Sequence, residues 1–112
     1  MTYTIEKVTT LIGARRYGDN DTNIGFILTD SRSLCFPEET LFFALKSERN
    51  DGHNYIPELY RRGVKNFVVT DVPKGYASDY PEANFLKVVN TLEALQRLAE
   101  RHRDEFNIPQ DS

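Results

Sequence analysis

The 112-residue sequence has one cysteine, no tryptophan and no surplus of positive charge. A single cysteine allows no internal disulfide and no cysteine-rich zinc site, and Cys35, followed by Phe36 and Pro37, is predicted to be a small buried side chain. The net charge of −3 argues against general nucleic-acid binding, which needs clustered lysine and arginine. No apolar run approaches the ~20 residues that cross a bilayer, and residues 1–6 lack the pattern of a signal peptide. A cytoplasmic location is therefore expected.

Motifs for several common chemistries are also missing. The chain has neither a Gly-rich lysine loop for a nucleoside triphosphate nor a nucleophile elbow. His53 and His102 are too isolated to predict a metal site, and the aspartates do not have calcium-loop spacing. The sequence therefore predicts no catalytic residue and no metal ligand, which leaves a binding role or a non-catalytic α/β interaction module.

The hydrophobic pattern predicts one α/β domain with a mainly parallel or mixed sheet of four or five strands flanked by helices. The hydrophobic fraction of 39% and the charged fraction of 28% are those of a soluble domain. Apolar spacing predicts helices over about residues 5–13, 55–62 and 91–105, and strands over 24–29, 41–45, 67–70 and 85–89. Residues 15–23 are predicted to be a loop and 71–83 an irregular excursion. A strand, a helix and a strand within residues 41–70 predict a parallel βαβ unit.

Local signals predict where the helices begin and end. Thr4 is expected to cap the first helix and Gly13 to end it. Asn54 is a candidate cap for the second helix, and Asn90 is expected to cap the last. Helical spacing then predicts the buried stripe of the last helix: Leu92, Leu95, Leu98, Ala99, His102 and Phe106.

Two polar loops, Asp30 to Ser33 and Lys46 to His53, each follow an apolar strand. If those strands are parallel, both loops meet at one edge of the sheet, where α/β proteins place binding groups. Arg32, Lys46 and Arg49 are suited to phosphate or carboxylate, and Asn50 can pair with an amide or a base edge. Surface loops are polar even where they bind nothing, and residue types alone favour that alternative.

Four short motifs occur in register across residues 24–70. They are Thr29-Asp30-Ser31-Arg32, Leu41-Phe42-Phe43-Ala44-Leu45-Lys46, Asp51-Gly52-His53-Asn54-Tyr55-Ile56 and Gly63-Val64. This order and spacing resembles the N-terminal domain of the Mur ligases, which add the later residues of the peptidoglycan stem peptide. The stretch from Thr91 to Ala99, with Arg101-His102-Arg103, extends the resemblance to Pro109.

Within the family, two features are more similar to the branch that adds D-alanyl-D-alanine, including the type fused to an alanine racemase. These are Glu48-Arg49 ahead of Asp51-Gly52-His53, and the Leu-Ala-x-x-His-Arg pattern of residues 98–103. The branch that adds diaminopimelate or lysine is the alternative, because it shares the Asp-Ser-Arg and Asp-Gly-His landmarks.

The resemblance implies that residues 1–112 are a domain that holds the uridine-diphosphate end of UDP-N-acetylmuramoyl-tripeptide, without the ATP-binding and C-terminal domains. It implies no catalytic group and no metal ligand here. The substrate contacts that it implies are Asp30, Ser31, Arg32, Lys46, Ser47, Glu48, Arg49 and Asn50. ATP and Mg2+ are expected only in the full-length enzyme. The expected partners are the muramoyl-peptide substrate and the other two domains of that enzyme, with neither nucleic acid nor membrane.

The chain departs from the family pattern at three places. Ser47 replaces a glycine of the second loop, and Pro37-Glu38-Glu39-Thr40 replaces a Pro-Gly turn. After Ile108-Pro109 the family continues into its ATP loop, whereas this sequence has Gln110-Asp111-Ser112. The isolated chain is therefore expected to be unable to ligate.

Overall fold

A five-stranded mixed sheet forms the centre of the computed structural model, which describes residues 3–102. The strands are β1 (Tyr3–Thr4), β2 (Arg15–Tyr17), β3 (Asn23–Ile24), β4 (Phe26–Leu28), β5 (Thr40–Phe43), β6 (Asn66–Val69) and β7 (Asn84–Lys87). The helices are α1 (Ile5–Ile12), α2 (Ile56–Arg61), α3 (Tyr76–Asp79) and α4 (Thr91–His102). The sheet order is β2-β7-β6-β5-β4; β4 to β7 are parallel and β2 is antiparallel to β7. The predicted fold class is confirmed.

The helices begin and end at residues that the sequence identifies. The Thr4 hydroxyl accepts a 3.1 Å hydrogen bond from the Lys7 N–H, and Gly13 ends α1 in the left-handed conformation at φ 66°. Asn90 caps α4, because its side-chain oxygen accepts a 3.0 Å bond from the Glu93 N–H. These caps satisfy backbone donors and acceptors that a helix end otherwise leaves unpaired.

The sheet is covered on both faces, and the alternation along β5 shows how. Leu41 and Phe43 lie in a mainly aliphatic cluster with α1 and α4, whereas Phe42 and Ala44 point to the opposite face. That second face is rich in aromatic rings and packs against α2 and α3. Continuous apolar runs, as in β5 and β6, are the pattern expected of parallel strands buried on both sides.

Two predictions about the first third of the chain were wrong. The predicted loop 15–23 contains β2, a three-residue antiparallel edge strand. Arg15-Arg16-Tyr17 has no apolar alternation that would indicate a strand, and its position depends on pairing with β7, far along the chain. The predicted strand 24–29 is divided at Gly25: Ile24 pairs with Tyr3 in a separate two-stranded sheet, and β4 pairs with β5.

The approach to α2 also differs from the prediction. Asp51, rather than Asn54, provides the side-chain cap, and it caps a 3₁₀ helix over Gly52–Tyr55 that leads into α2. Pro57 lies in the first turn of α2, where its missing N–H costs nothing. The excursion 71–83 contains the short helix α3, which begins directly after Gly75 and is four residues long.

Two side chains predicted to be buried are exposed. Leu92, in the first turn of α4, is 51% exposed, whereas Leu98, further along the same helix, is fully buried. Cys35 is also exposed. It lies in the connection between the 3₁₀ turns Ser31–Ser33 and Pro37–Glu39, which follow the edge strand β4 in the sequence. The His102 side chain, Phe106 and the predicted helix end at Glu105 lie outside the described residues.

Candidate functional site

The carboxyl ends of the four parallel strands surround a cleft of about 600 Å³, called here the carboxyl-edge cleft. It is lined by Thr29, Leu45, Lys46, Ser47, Asn50, Gly52, Tyr55, Thr70, Val89, Asn90, Thr91 and Leu92. Thr29 and Thr70 directly follow β4 and β6, and Leu45 and Val89 lie two residues after β5 and β7. Each of the four strands thus supplies a residue from just beyond its end. Open parallel sheets bind ligands at this edge.

The first turn of α4 forms one side of the cleft. The Thr91 hydroxyl donates a buried 3.0 Å hydrogen bond to the Ala44 carbonyl, which fixes the start of α4 against the end of β5. The amino end of a helix carries a partial positive charge, so α4 directs a favourable field for anions into the cleft.

The second loop is held in a tight conformation by its own backbone. The Ser47 N–H donates to the Asn50 carbonyl at 2.7 Å, and the Gly52 N–H donates to the Leu45 carbonyl at 2.7 Å. A Cβ atom at Gly52 would lie 2.8 Å from the Leu45 nitrogen, so only glycine fits this close approach. The Asn50 side-chain oxygen accepts a 3.2 Å bond from the Tyr55 hydroxyl, which leaves the Asn50 amide NH₂ available to a ligand.

Asp51, His53 and Thr70 connect this loop to the end of β6. His53 Nδ1 lies 2.6 Å from Asp51 Oδ1, and its Nε2 accepts the Thr70 N–H at 3.1 Å. Because Nε2 is an acceptor, Nδ1 carries the proton and donates to the carboxylate. The backbone N–H of His53, followed by its side chain, lowers the pKa of Asp51 by hydrogen bonding.

The first loop differs, because its charges pair with each other. The Arg32 guanidinium lies 2.9 Å from Asp30 Oδ2, and hydrogen bonding from the Arg32 side chain lowers the pKa of the Asp30 carboxyl. The Ser31 carbonyl accepts a 3.0 Å bond from Arg62 Nη1, so the loop is also tied to the end of α2. None of these three predicted site residues lines the cleft.

The structure thus separates the predicted site residues into two groups. Lys46, Ser47 and Asn50 line the cleft, whereas Glu48 and Arg49, in the same exposed loop, do not. The sequence interpretation did not assign a ligand-binding role to the cleft residues from the other strand ends and from the helix starts: Thr29, Tyr55, Thr70, Val89, Asn90, Thr91 and Leu92. The available signal was position, because Thr29, Thr70 and Val89 are the last residues of predicted strands and Asn90 comes directly after one. Asn90 was identified only as a helix cap.

Both departures from the family pattern that fall in the described part are accommodated locally. No non-glycine residue of that part has a positive φ, so Ser47 occupies its position without left-handed strain. Pro37–Glu39 forms a 3₁₀ turn in which Pro37 is at the start, and the Thr40 hydroxyl donates a 2.6 Å bond to the Phe36 carbonyl.

Within residues 3–102, no three side chains of His, Cys, Asp or Glu lie close enough together to hold a metal ion. The same residues include no helix long and apolar enough to cross a membrane.

Comparison with solved structures shows strong similarity to MurF ligases. UDP-N-acetylmuramoylalanyl-D-glutamyl-2,6-diaminopimelate--D-alanyl-D-alanyl ligase from Acinetobacter baumannii superimposes with a TM-score of 0.76 at 27% identity, over 93% of this chain and 22% of that one. Crystal structure II of MurF from the same organism gives a TM-score of 0.77 at 26% identity, over 93% and 21% of the two chains.

Sequence comparison also finds relatives that are named as D-alanyl-D-alanine ligases of a muramoyl-tripeptide. UDP-N-acetylmuramoyl-tripeptide--D-alanyl-D-alanine ligase of Synechocystis sp. is 42% identical over 80% of this chain and 18% of its own length. The Bacillus subtilis enzyme of that name is 33% identical over 76% and 18%. The chain therefore spans about a fifth of the length of these ligases. Residues 23–103 match the family model described as "Mur ligase family, catalytic domain". On this evidence, the chain belongs to the Mur ligase family.

Proposed function

We propose that this chain binds the uridine-diphosphate end of UDP-N-acetylmuramoyl-tripeptide, within an enzyme that joins D-alanyl-D-alanine to it. The carboxyl-edge cleft is the observation that carries the proposal. Lys46 supplies a cation and Asn50 an amide to one cleft, and α4 directs its positive end into it. A nucleoside diphosphate needs these groups, because its base has amide-like edges and its phosphates are anionic.

In this proposal the chain positions substrate and supplies no catalytic group. Holding one end of a large substrate contributes to catalysis by proximity, while reacting groups are provided elsewhere. ATP and Mg2+ would be held by other parts of the full-length enzyme, because residues 3–102 contain no Gly-rich lysine loop and no metal-ligating cluster. The expected partners are therefore those other domains and the muramoyl-peptide, and a cytoplasmic location stays a prediction.

The proposed substrate contacts differ in how strongly the geometry of the cleft supports them. Lys46, Ser47 and Asn50 come first, because they line it. Asp30, Ser31, Arg32, Glu48 and Arg49 stay proposed contacts on the basis of the family resemblance alone. Of the cations, Arg32 is the weaker candidate for the diphosphate, since Asp30 already neutralises it.

An NMR titration of the ¹⁵N-labelled chain with UDP-N-acetylmuramoyl-tripeptide tests the function. We expect selective shifts of the amides of Lys46, Ser47, Asn50, Thr70 and Asn90, with no comparable response to ADP. Equal shifts with both nucleotides, or shifts confined to other surfaces, would contradict the proposal and favour a non-catalytic interaction module.

Paired variants then test which loop residues bind. K46Q/N50A is expected to weaken the tripeptide nucleotide about tenfold, as loss of a charge-assisted bond does. The comparison variant is S31A/R49Q, which changes two proposed contact residues that do not line the cleft. An equal loss in both variants would show that the contact set extends beyond the cleft.

A further inference from the structure

Two cations stand directly opposite each other on neighbouring strands beside the carboxyl-edge cleft. Arg15 of β2 and Lys87 of β7 are register partners in the antiparallel pair, so their Cβ atoms are about 5 Å apart on one face. Both side chains are exposed, and Lys87 is the one exposed residue of β7.

Neither cation has an ion-pair partner among residues 3–102. The guanidinium carbon of Arg15 lies 5.4 Å from the centroid of the Tyr17 ring. By contrast, Arg16, Arg32, Lys65 and Arg97 all lie beside carboxylates. Like charges placed directly opposite each other on a sheet are destabilising, and a bound anion would relieve this repulsion.

The two residues also share a concave surface. A depression of about 360 Å³ is lined by Gly13, Arg15, Tyr17, Thr70, Lys87, Val88 and Val89. Thr70 and Val89 line the carboxyl-edge cleft as well, so the two spaces adjoin. Asn90, which lines the cleft, is three positions after Lys87 in the sequence, so their Cα atoms are at most about 11 Å apart. That is comparable to the length of a nucleoside diphosphate.

We propose that Arg15 and Lys87 form a subsite for the distal phosphoryl group of a nucleoside diphosphate whose nucleoside lies in the carboxyl-edge cleft. The proposal rests on the proposed function, which it extends by assigning a second anion site outside the cleft. Arginine and lysine are both suited to phosphate oxygens, the first through paired N–H donors and the second as a compact charge. Tyr17 and the β2–β7 pairing hold the Arg15 stem in place.

Binding of uridine and of UDP to the R15Q/K87Q variant, measured by NMR titration at low salt, tests the subsite. We expect UDP to bind about tenfold more weakly than to the wild-type chain, while uridine changes less than twofold. The matched control is R61Q/K74Q, which also removes one exposed arginine and one exposed lysine. In that control both affinities should stay within about twofold, and the UDP loss in R15Q/K87Q should shrink as salt is added.

The outcomes separate this subsite from the proposed function. Equal UDP binding by R15Q/K87Q and the control would overturn the subsite and leave the cleft as the nucleotide site. An equal loss of uridine and UDP would also overturn it, because the pair would then support the fold rather than a phosphate. If neither ligand shifts the cleft of the wild-type chain, the proposed function fails and this assignment with it.

Thermal unfolding of the same variants guards against a folding artefact. Without ligand, R15Q/K87Q should unfold at the same temperature as the wild type or higher, since a repulsive pair is removed. Pyrophosphate should raise the unfolding temperature of the wild type and not that of R15Q/K87Q. Equal pyrophosphate responses of the wild type and R15Q/K87Q would contradict the inference.

Discussion

The Thr91 hydroxyl and the Ala44 carbonyl are joined by a buried 3.0 Å hydrogen bond across 47 residues of sequence. This bond holds the start of α4 beside the end of β5, and both segments border the carboxyl-edge cleft. Through it, the position of a helix end and the position of a binding loop depend on each other.

Replacing Thr91 by valine preserves the shape of the side chain and removes this hydroxyl. We expect the free energy of unfolding to fall by about 1 kcal/mol, the usual net value of one buried hydrogen bond. Urea denaturation measures the change. T91S keeps the hydroxyl and should lose less stability than T91V; the reverse order would show that the methyl group, rather than the hydrogen bond, matters here.

His53 is expected to stabilise the cleft through the Thr70 amide. H53A leaves that amide without its Nε2 acceptor, which should cost about 1–3 kcal/mol and increase the exchange rate of the Thr70 N–H with solvent. Hydrogen-exchange NMR reads the amide directly. N54A changes the neighbouring exposed residue and should stay within about 0.5 kcal/mol of the wild type. Unchanged Thr70 exchange in H53A would refute the link.

Asp51 should make stability depend on acid pH. Its folded-state pKa is lowered, chiefly by the His53 N–H, so its stabilisation is present above about pH 4 and is lost as pH falls through the lowered value. The gap in unfolding free energy between wild type and D51N should therefore narrow on acidification. D71N, at an exposed site, gives the baseline. A gap that stays constant down to about pH 2 would contradict this assignment.

Gly52 is expected to tolerate no side chain. In G52A the new methyl group would lie 2.9 Å from the Ala44 Cα, so the loop must move away from β5. We expect a loss of about 3 kcal/mol, at the upper end for an overpacked site, together with weaker nucleotide binding. G75A meets nothing closer than 3.6 Å and should lose about 1–2 kcal/mol from its left-handed backbone alone. Chemical denaturation and the nucleotide titration distinguish the two, and unaltered binding by folded G52A would separate the loop from the site.

Leu92 and Leu98 should respond differently to the same truncation. Leu98 is fully buried against the aliphatic face of the sheet, so L98A should cost about 3 kcal/mol. Leu92 is half exposed at the cleft, so L92A should cost about 0.5 kcal/mol or less and alter ligand affinity instead. Similar stability losses for both variants would show that Leu92 contributes to the core.

The sequence predicts those elements whose pattern is strong and local. β5 and β6 are continuous apolar runs, and α1 and α4 have clear caps and helical spacing, so the sequence locates β5, β6, α1 and the start of α4 to within a few residues. β2 could not be found in this way, because Arg15-Arg16-Tyr17 has no apolar alternation and becomes a strand only by pairing with β7.

The site was predictable in position more than in composition. The rule that loops after parallel strands meet at one edge led to Lys46, Ser47 and Asn50. It left open whether Arg32 binds a ligand or pairs with an acidic neighbour, and the structure shows the pairing with Asp30, whose geometry depends on a 3₁₀ turn. Thr70 and Leu92 were missed because their roles arise from contacts among segments distant in sequence.

The two faces of the sheet differ in chromophores as well as in packing. The chain has no tryptophan, and Tyr17, Tyr60, Tyr76 and Tyr80 all lie on the aromatic face with Phe67 and Phe85. Near-ultraviolet circular dichroism should therefore report mainly on that single layer. A variant that loosens α2 and α3 would lose this signal while α1 and α4 still contribute to the far-ultraviolet spectrum. Partial unfolding of one layer thus becomes visible without any label.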